Sequence, residues 1–573
     1  MKKNFFVKLF GLTILMFTLL FTGALAETYE GTGYGYDKDG IVLDVEIKDS
    51  KITDVKVKRA KESEFATPAI QEIAKKVIAT QSLDVDGISG ASLTSEGTKE
   101  AIEEAVSKSG VTLTAVAVQN TKAIELPKEA DVVVIGAGGA GLTSAIAAHE
   151  KGAKVILIEK TELLGGNTNY ATAGLNAAGT KIQEKLGVKD SPELFYEDTM
   201  KGGKNKNNKE LVRVLVNNSS AIVDWLIERG ADLSELTSTG GQSAKRTHRP
   251  TGGTAVGPNI VAALSKTAEN EKIDIRKGTK AIALVKTKNR IVGVKVREID
   301  GKEYTIKAKA VIVATGGFGA NAKMVEKYNP KLKGFGSTNS PAIVGDGIIM
   351  VEKVGGALVD MSEIQTHPTV VYNKTNMITE AVRGEGAILV NKDGKRFIDE
   401  LETRDVVSKA ILSQKGKSAF LIFDEDIRTK LKAADGYVKK GFAVEGTLEE
   451  IAAKIGTDAK TLEATLNKYN EAVRDKVDSE FNKKTLPKEL TGTKYYAIEV
   501  SPAVHHTMGG VRINTNAEVL GKNGRPIKGL YAAGEVTGGI HGANRIGGNA
   551  VADITIFGKI AGENAATYSK SVK

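Results

Sequence analysis

The sequence predicts a multidomain α/β protein, and three observations carry that prediction. A chain of 573 residues exceeds one compact core and, at about 100–200 residues per domain, makes room for three or four. Its composition, 41% hydrophobic and 26% charged, is that of a globular protein and excludes a disordered tail or a multi-span transporter. Between Ala130 and Lys160 an apolar strand, a glycine-rich turn, a helical stretch and a second apolar strand follow one another, the pattern of parallel strands joined through a helix. The 62 glycines, set against 11 prolines and no G-X-Y period, indicate many close backbone approaches. The chain has no cysteine. That excludes disulfides, thiolate zinc and iron–sulfur sites, c-type haem, a cysteine nucleophile and a lipoprotein anchor.

At the N-terminus, Lys2, Lys3 and Lys8 precede an apolar run from Leu9 to Leu25, and Ala24-Leu25-Ala26 closes it before Glu27. A charged start, an apolar middle and an A-x-A ending describe a secretory signal over residues 1–26. The expectation is an exported protein, periplasmic or extracellular; a retained anchor is the alternative, since the run is nearly long enough to span. The formal charge of +10 falls to +7 without the three signal lysines. The other lysines alternate with Glu and Asp, which reads as a solvated surface that attracts small anions, with no nucleic-acid partner.

Residues 27–110 read as a small α+β module. Gly31, Gly33 and Gly35 open it, and residues 41–47 and 52–57 alternate with period two, predicting antiparallel strands joined by the turn Lys48-Asp49-Ser50-Lys51. Helices are expected near Thr67–Thr80 and Ser95–Ser107. Between them, Asp86-Gly87-Ile88-Ser89-Gly90-Ala91-Ser92-Leu93-Thr94 reads, on its residues alone, as a glycine-containing loop with an N-cap. The segment also resembles the attachment sequence of FMN-binding domains of sodium-pumping quinone reductases and exported flavoproteins. That resemblance implies covalent FMN, its phosphate joined by a flavin transferase to the hydroxyl after Gly-Ala. Here that is Ser92, with Asp86 as the leading acidic position and Thr94 the neighbouring alternative. A tether suits an exported protein, which would lose a dissociated cofactor by dilution. Residues 111–128 are expected to form a linker.

Next, Asp131-Val132-Val133-Val134-Ile135 predicts a buried strand, residues 142–151 a helix, and Lys154-Val155-Ile156-Leu157-Ile158 a strand ending at Glu159. Gly136 permits the tight turn, Gly138 lets the backbone approach a pyrophosphate, and Gly141 allows close helix–strand packing. The helix start offers free N–H groups to phosphates. Glu159 stands about 20 residues on, where a carboxylate accepts from ribose hydroxyls. This is a Rossmann-like dinucleotide fold, and the motif alone does not separate FAD from NAD.

Further segments point to FAD. They are Gly165-Gly166-Asn167-Thr168, Ala173-Gly174-Leu175-Asn176, Ala314-Thr315-Gly316-Gly317-Phe318-Gly319 after a strand at 310–313, Gly534-Glu535, and Gly547-Gly548-Asn549-Ala550. In order and spacing they resemble the flavoprotein superfamily of fumarate reductase and succinate dehydrogenase, over about residues 129–570. The resemblance implies a Rossmann-like FAD-binding domain (129–364 and 491–573) with an inserted α+β capping domain (365–490), preceded by the small FMN-binding domain. It implies non-covalent FAD against Gly136, Ala137, Gly138, Ala140, Gly141, Ala314, Thr315 and Gly316, with the adenine half on Glu159 and Lys160. The flavin end falls on Asn167, Thr168, Ala173, Gly174, Asp346, His506, Glu535, Ala550 and Val551. Ala173 stands where relatives often carry Gly.

The chemistry-bearing stretches are Gln365-Thr366-His367-Pro368, residues 377–384, Glu402-Thr403-Arg404-Asp405, residues 505–511 and residues 541–548. They resemble the soluble, single-chain fumarate reductases of the flavocytochrome c type. Planar guanidinium forks match carboxylates bidentately, and the resemblance implies that His367, Thr379, His505 and Arg545, with Glu380, Arg404 and Gly548, hold the two carboxylates of fumarate. It further implies hydride transfer from flavin N5 to one alkene carbon and protonation of the other by Arg404, with Glu380 and Arg383 returning the proton. A guanidinium is normally permanently protonated, an objection that weakens when the acceptor is a far more basic carbanion. Closure of the capping domain would exclude water and assemble the site. Haem-bearing relatives feed electrons through CxxCH sites, which this chain lacks, so the FMN module is the natural donor to FAD.

The expected reaction is therefore reduction of fumarate to succinate, a terminal step of anaerobic respiration, with a membrane or extracellular electron donor and no metal. Reductases of urocanate, acrylate or cinnamate share the layout; Met377 and His367 favour fumarate. An oxidase or steroid dehydrogenase fits the exported donor module less well. A non-catalytic flavin carrier or fumarate sensor is disfavoured by the intact Arg404, Glu380 and Arg383 set.

Overall fold

The structure, a computed structural model, describes residues 26–35, 40–60, 62, 66–88, 91–116, 127–288 and 290–572. The expected leader, apart from Ala26, lies outside the described residues, as do residues 117–126 of the expected linker. The chain divides into two compact units.

In the small unit, strands Glu27–Gly33, Ile41–Lys48 and Lys51–Ala60 form an antiparallel sheet in sequence order. Asp49 and Ser50 both turn left-handed, with φ of 51° and 60°, as a two-residue hairpin turn requires. The first strand is not evident from the sequence, because glycine is depleted in strands. Its glycines answer to packing instead: a Cβ at Gly31 would lie 1.8 Å from the Ala101 carbonyl oxygen, and one at Gly33 1.9 Å from that of Gly97. The helix Ser92–Ser109 thus lies directly on that strand. The first helix, Thr67–Thr80, falls as expected. The second begins at Ser92 rather than Ser95, so Ser92, Leu93 and Thr94 occupy its first turn and not a loop; none of the three is a helix breaker.

The large unit is built on an eight-stranded sheet. Its path runs through strands Thr279–Lys286, Ile291–Glu298, Glu303–Val313, Glu129–Ile135, Val155–Ile158 and Asp274–Arg276. Val311 pairs in parallel with Val133 on one side and with Leu530 on the other. The helix Gly139–Glu150 starts three residues before the expected Leu142, within the glycine run. Gly136 has φ of 98°, and a Cβ at Gly141 would meet the Gly136 carbonyl oxygen at 1.7 Å. Gly141→Ala is therefore expected to cost at least about 1–3 kcal/mol, read as a lower thermal unfolding midpoint.

A second, five-stranded antiparallel sheet contains Ile364–Val371, Tyr495–Thr507, Ala419–Asp424 and Ile388–Val390, in that order. It carries its own hydrophobic core, drawn from Val371 to Val500. Val504, four residues on, already belongs to the core of the main sheet. The two lobes are therefore joined through continuous strands. That junction places Gln365 opposite His506 and His367 opposite Ala503. Among the described residues no helix is long and apolar enough to cross a membrane.

Candidate active site

Two cavities of the large unit share Asn167, Thr168 and Glu535 in their walls and so form one groove. The first is lined by Gly136, Gly138, Ala140, Glu159, Lys160, Ala314, Thr315, Gly316 and Asp346, among others. Gly138 is the N-cap of the helix Gly139–Glu150, in extended geometry and with no side chain of its own to cap it. The end of the helix dipole is thus open to an anion. Thr168 Oγ1 accepts from the Gly139 N–H at 3.0 Å. Glu159 is fixed at both oxygens, accepting from the Ala137 N–H at 2.8 Å and the Thr161 N–H at 2.9 Å. Ala137 and Gly141 do not border the cavity; they shape the turn behind it.

Asp346, expected at the flavin end, lies in the cavity that Asn167, Thr168 and Glu535 also line. Its carboxylate pairs with Lys160 at 2.6 Å and Lys280 at 3.6 Å, in the wall of the first cavity. Gly345, at φ of 84°, turns the chain into the helix Asp346–Lys353 beside the strand that carries Lys280.

The second cavity is lined by Ala173, Gly174, Thr338, Met377, Arg404, His505, His506, Arg545, Gly548, Ala550 and Val551, among others. Neighbouring strand residues project to opposite faces. Accordingly His505 Nδ1 meets Thr338 Oγ1 at 2.8 Å, while the His506 ring stands edge-on to His541 at 5.4 Å. Gly548, at φ of 89°, cannot carry a side chain: a Cβ would lie 2.2 Å from Asn176 Oδ1.

Arg404 is the first residue of the helix Arg404–Leu412, and Glu380 that of the helix Glu380–Gly384. Arg404 Nε donates to Glu380 Oε1 at 2.7 Å. Arg383 approaches the same oxygen at 3.7 Å and donates through Nη1 to the Glu400 carbonyl at 2.6 Å. Gln365 binds two guanidiniums with one atom: its Oε1 accepts from Arg404 Nη1 at 3.2 Å and Arg545 Nη2 at 3.0 Å. Its Nε2 donates to Asn544 Oδ1 and the Arg545 carbonyl. His367, Thr379, Glu380 and Arg383 stand behind the cavity wall; His367 is 1% exposed and edge-on to His505 at 5.3 Å.

Charge in this cluster is set by burial and crowding. For Glu380, burial opposes ionisation, but Arg404 and Arg383 outweigh it and hold the carboxyl at about 2. Burial and then Arg404 bring Arg545 down to about 9. Burial and neighbouring guanidiniums push His367, His505 and His506 well below the usual imidazole value, so all three are neutral. Burial pushes the Glu535 carboxyl up. Arg383, Arg404 and Arg545 thus gather around the ionised Glu380, with Glu535 and Asp553 acting on Arg545 and Glu400 and Asp399 on Arg383.

Sequence reasoning missed Gln365 and Thr338. Gln365 stood in a recognised stretch without a role, and nothing around Thr338 marks it. Among the described residues no group of three His, Cys, Asp or Glu is placed to hold a metal ion. The groove does fit a flavin dinucleotide. It combines a helix start whose N-cap is glycine with an anchored acid, and Thr315 Oγ1 and His506 Nδ1 are buried without protein partners.

Fold and groove together define a flavin-dependent oxidoreductase with an appended α+β module. The FAD binding domain family profile matches residues 131–551, and the FMN-binding domain profile matches residues 35–107. A fumarate reductase (cytochrome) from Shewanella frigidimarina is 51% identical over 442 residues, 77% of each chain. An NADH:fumarate oxidoreductase from Klebsiella pneumoniae (strain 342) is 46% identical over 88% of this chain, which spans only 55% of that relative. A urocanate reductase from Eggerthella lenta is 35% identical over 96% of this chain and 93% of its own. The open conformation of a flavocytochrome c3 fumarate reductase superposes with a TM-score of 0.69 at 44% identity, covering 77% of this chain and 78% of that one. The chain belongs to the FAD-binding flavoprotein family of the fumarate reductases, and it carries an FMN-binding domain as well.

Proposed function

We propose that this protein reduces fumarate to succinate. One observation carries the choice of substrate: two guanidiniums, Arg404 and Arg545, line one cavity whose histidines are neutral. Two guanidiniums that face the cavity suit the two carboxylates of a dianion. Urocanate, acrylate and cinnamate each carry one carboxylate.

Bound FAD supplies the hydride for one alkene carbon. Arg545 and His505, which line the cavity, bind carboxylate oxygens, and His367 braces His505 from behind. Arg404, aimed by Glu380 and Gln365, gives a proton to the other alkene carbon. Glu380 and Arg383 return that proton along the contacts at Arg404 Nε. Hydride and proton together convert the alkene dianion to the saturated dianion. The FMN-binding module is the port through which electrons reach the FAD-binding body. The charged, apolar, A-x-A-terminated N-terminus supports export, and a membrane or extracellular carrier is the upstream donor.

Reduction of urocanate is the second reading, favoured by the two-flavin layout shared with the Eggerthella lenta relative. A panel of unsaturated acids, assayed anaerobically with reduced viologen, separates the two. Fumarate is expected to give stoichiometric succinate and the highest kcat/KM. Preferential turnover of urocanate would overturn the choice, and dye oxidation without product would indicate a mere carrier.

The FMN attachment reading narrows to Ser92. Thr94 is 2% exposed, and its hydroxyl donates to Glu62 Oε2 at 2.6 Å, so it is engaged elsewhere. The Ser92 side chain is outside the described atoms. Ser92→Ala, produced in a host with flavin transferase, is expected to lack the FMN adduct in intact-protein mass spectrometry, while Thr94→Ala keeps it. The reverse result would move the attachment to Thr94.

A further inference from the structure

Which ring nitrogen of a neutral histidine carries the proton decides whether the other donates or accepts. His505 lines the second cavity together with Thr338, Arg404 and Arg545. The Thr338 hydroxyl has two neighbours, His505 Nδ1 at 2.8 Å and the Val504 carbonyl oxygen at 3.3 Å. That carbonyl already accepts from the Thr338 N–H at 2.9 Å and from Asn339 Nδ2 at 3.4 Å. With two donors on the Val504 oxygen, the better place for the hydroxyl proton is Nδ1. Asn339 holds the strand from the same side, donating also to the His505 carbonyl at 3.3 Å. Its own Oδ1 accepts from Asn167 at 2.6 Å.

His505 is kept neutral by burial first and by Arg404 second. A neutral ring that accepts at Nδ1 bears its proton on Nε2. We propose that Thr338 is a positioning residue that fixes His505 in the Nε2–H tautomer, so that the ring presents a donor to a substrate carboxylate. In the opposite tautomer a lone pair would face the carboxylate oxygen and repel it. The inference rests on reading this cavity as the fumarate site. The same neutral donor also explains how His505 assists anion binding among guanidiniums that forbid it a charge of its own.

Thr338→Val keeps the shape and removes the hydroxyl; Thr338→Ser restores it. In the valine variant KM for fumarate is expected to rise about tenfold, with kcat changing by about twofold or less, as for loss of one neutral hydrogen bond that acts on binding. Succinate affinity of the oxidised holoenzyme, measured by calorimetry, should weaken by the same factor and recover in the serine variant. Nitrogen-15 NMR of histidine-labelled wild-type holoenzyme, with His505 assigned by its loss in His505→Gln, should show His505 protonated at Nε2 and unprotonated at Nδ1. A proton on Nδ1 in the wild type would overturn the inference, as would unchanged KM and succinate affinity in a folded valine variant. If the wild type neither turns over fumarate nor binds succinate, the functional reading fails instead; the tautomer measurement remains independent of it.

Discussion

Arg404→Ala is expected to lower kcat for fumarate by about 10⁴-fold, the upper range for a positioned general acid, while FAD content stays at the wild-type level. The separation follows from where the side chain stands. Arg404 lines the second cavity and not the first, and its polar contacts are to Glu380 and Gln365. Truncation leaves Gln365 still held by Asn544 and the Arg545 carbonyl, so Arg545 keeps its place. The electrostatic consequence has a definite sign. Arg404 opposes protonation of Arg545, His367, His505 and His506. Its removal makes each of them easier to protonate, which maintains attraction for an anion. Succinate binding should therefore fall far less than turnover. Flavin absorbance gives cofactor content and product chromatography gives succinate. Turnover within about tenfold of wild type would be too small a loss for a general acid and would remove Arg404 from that role.

Much of this arrangement was legible before the fold, and the division has a physical basis. The strand, glycine turn, helix and acid between Glu129 and Glu159 are a contiguous unit, and Gly136, Gly139 and Gly141 answer to contacts made within it or beside it. The cluster around Arg404 is different. Gln365 joins Arg404 and Arg545 across sequence separations of 39 and 180 residues, and its meeting with them depends on the pairing of Gln365 with His506. The pairing of Asp346 with Lys160 is hidden for the same reason, since 186 residues separate them. Thr338 carries no local signal at all; its function exists only through the strand it touches. Arg404 itself breaks a local rule, since a cation at a helix N-terminus opposes the helix dipole. Such departures are expected at working sites.

Glu380→Gln should separate the relay from the fold around it. The amide oxygen can still accept from Arg404 Nε, where the carboxylate now sits at 2.7 Å, so Arg404 keeps its aim. What disappears is the negative charge and the ability to carry a proton. We expect kcat to fall about 10²–10³-fold with a larger solvent isotope effect. The affinity for succinate should be unchanged or greater, because a like charge has left the neighbourhood of a dianion. A purely structural Glu380 would instead weaken binding and turnover together. Stability supplies a second signature. The carboxyl is held at about 2 in the fold, against a usual 4.5. A depressed carboxylate adds stability above its unfolded value, and that stability is lost as pH falls through the folded one. The variant should therefore be less stable than wild type at neutral pH, and the difference should shrink between pH 4.5 and about 2, as read by denaturant unfolding across that window. A difference that stays constant with pH would mean that Glu380 contributes packing rather than charge, and the relay would then need another carrier.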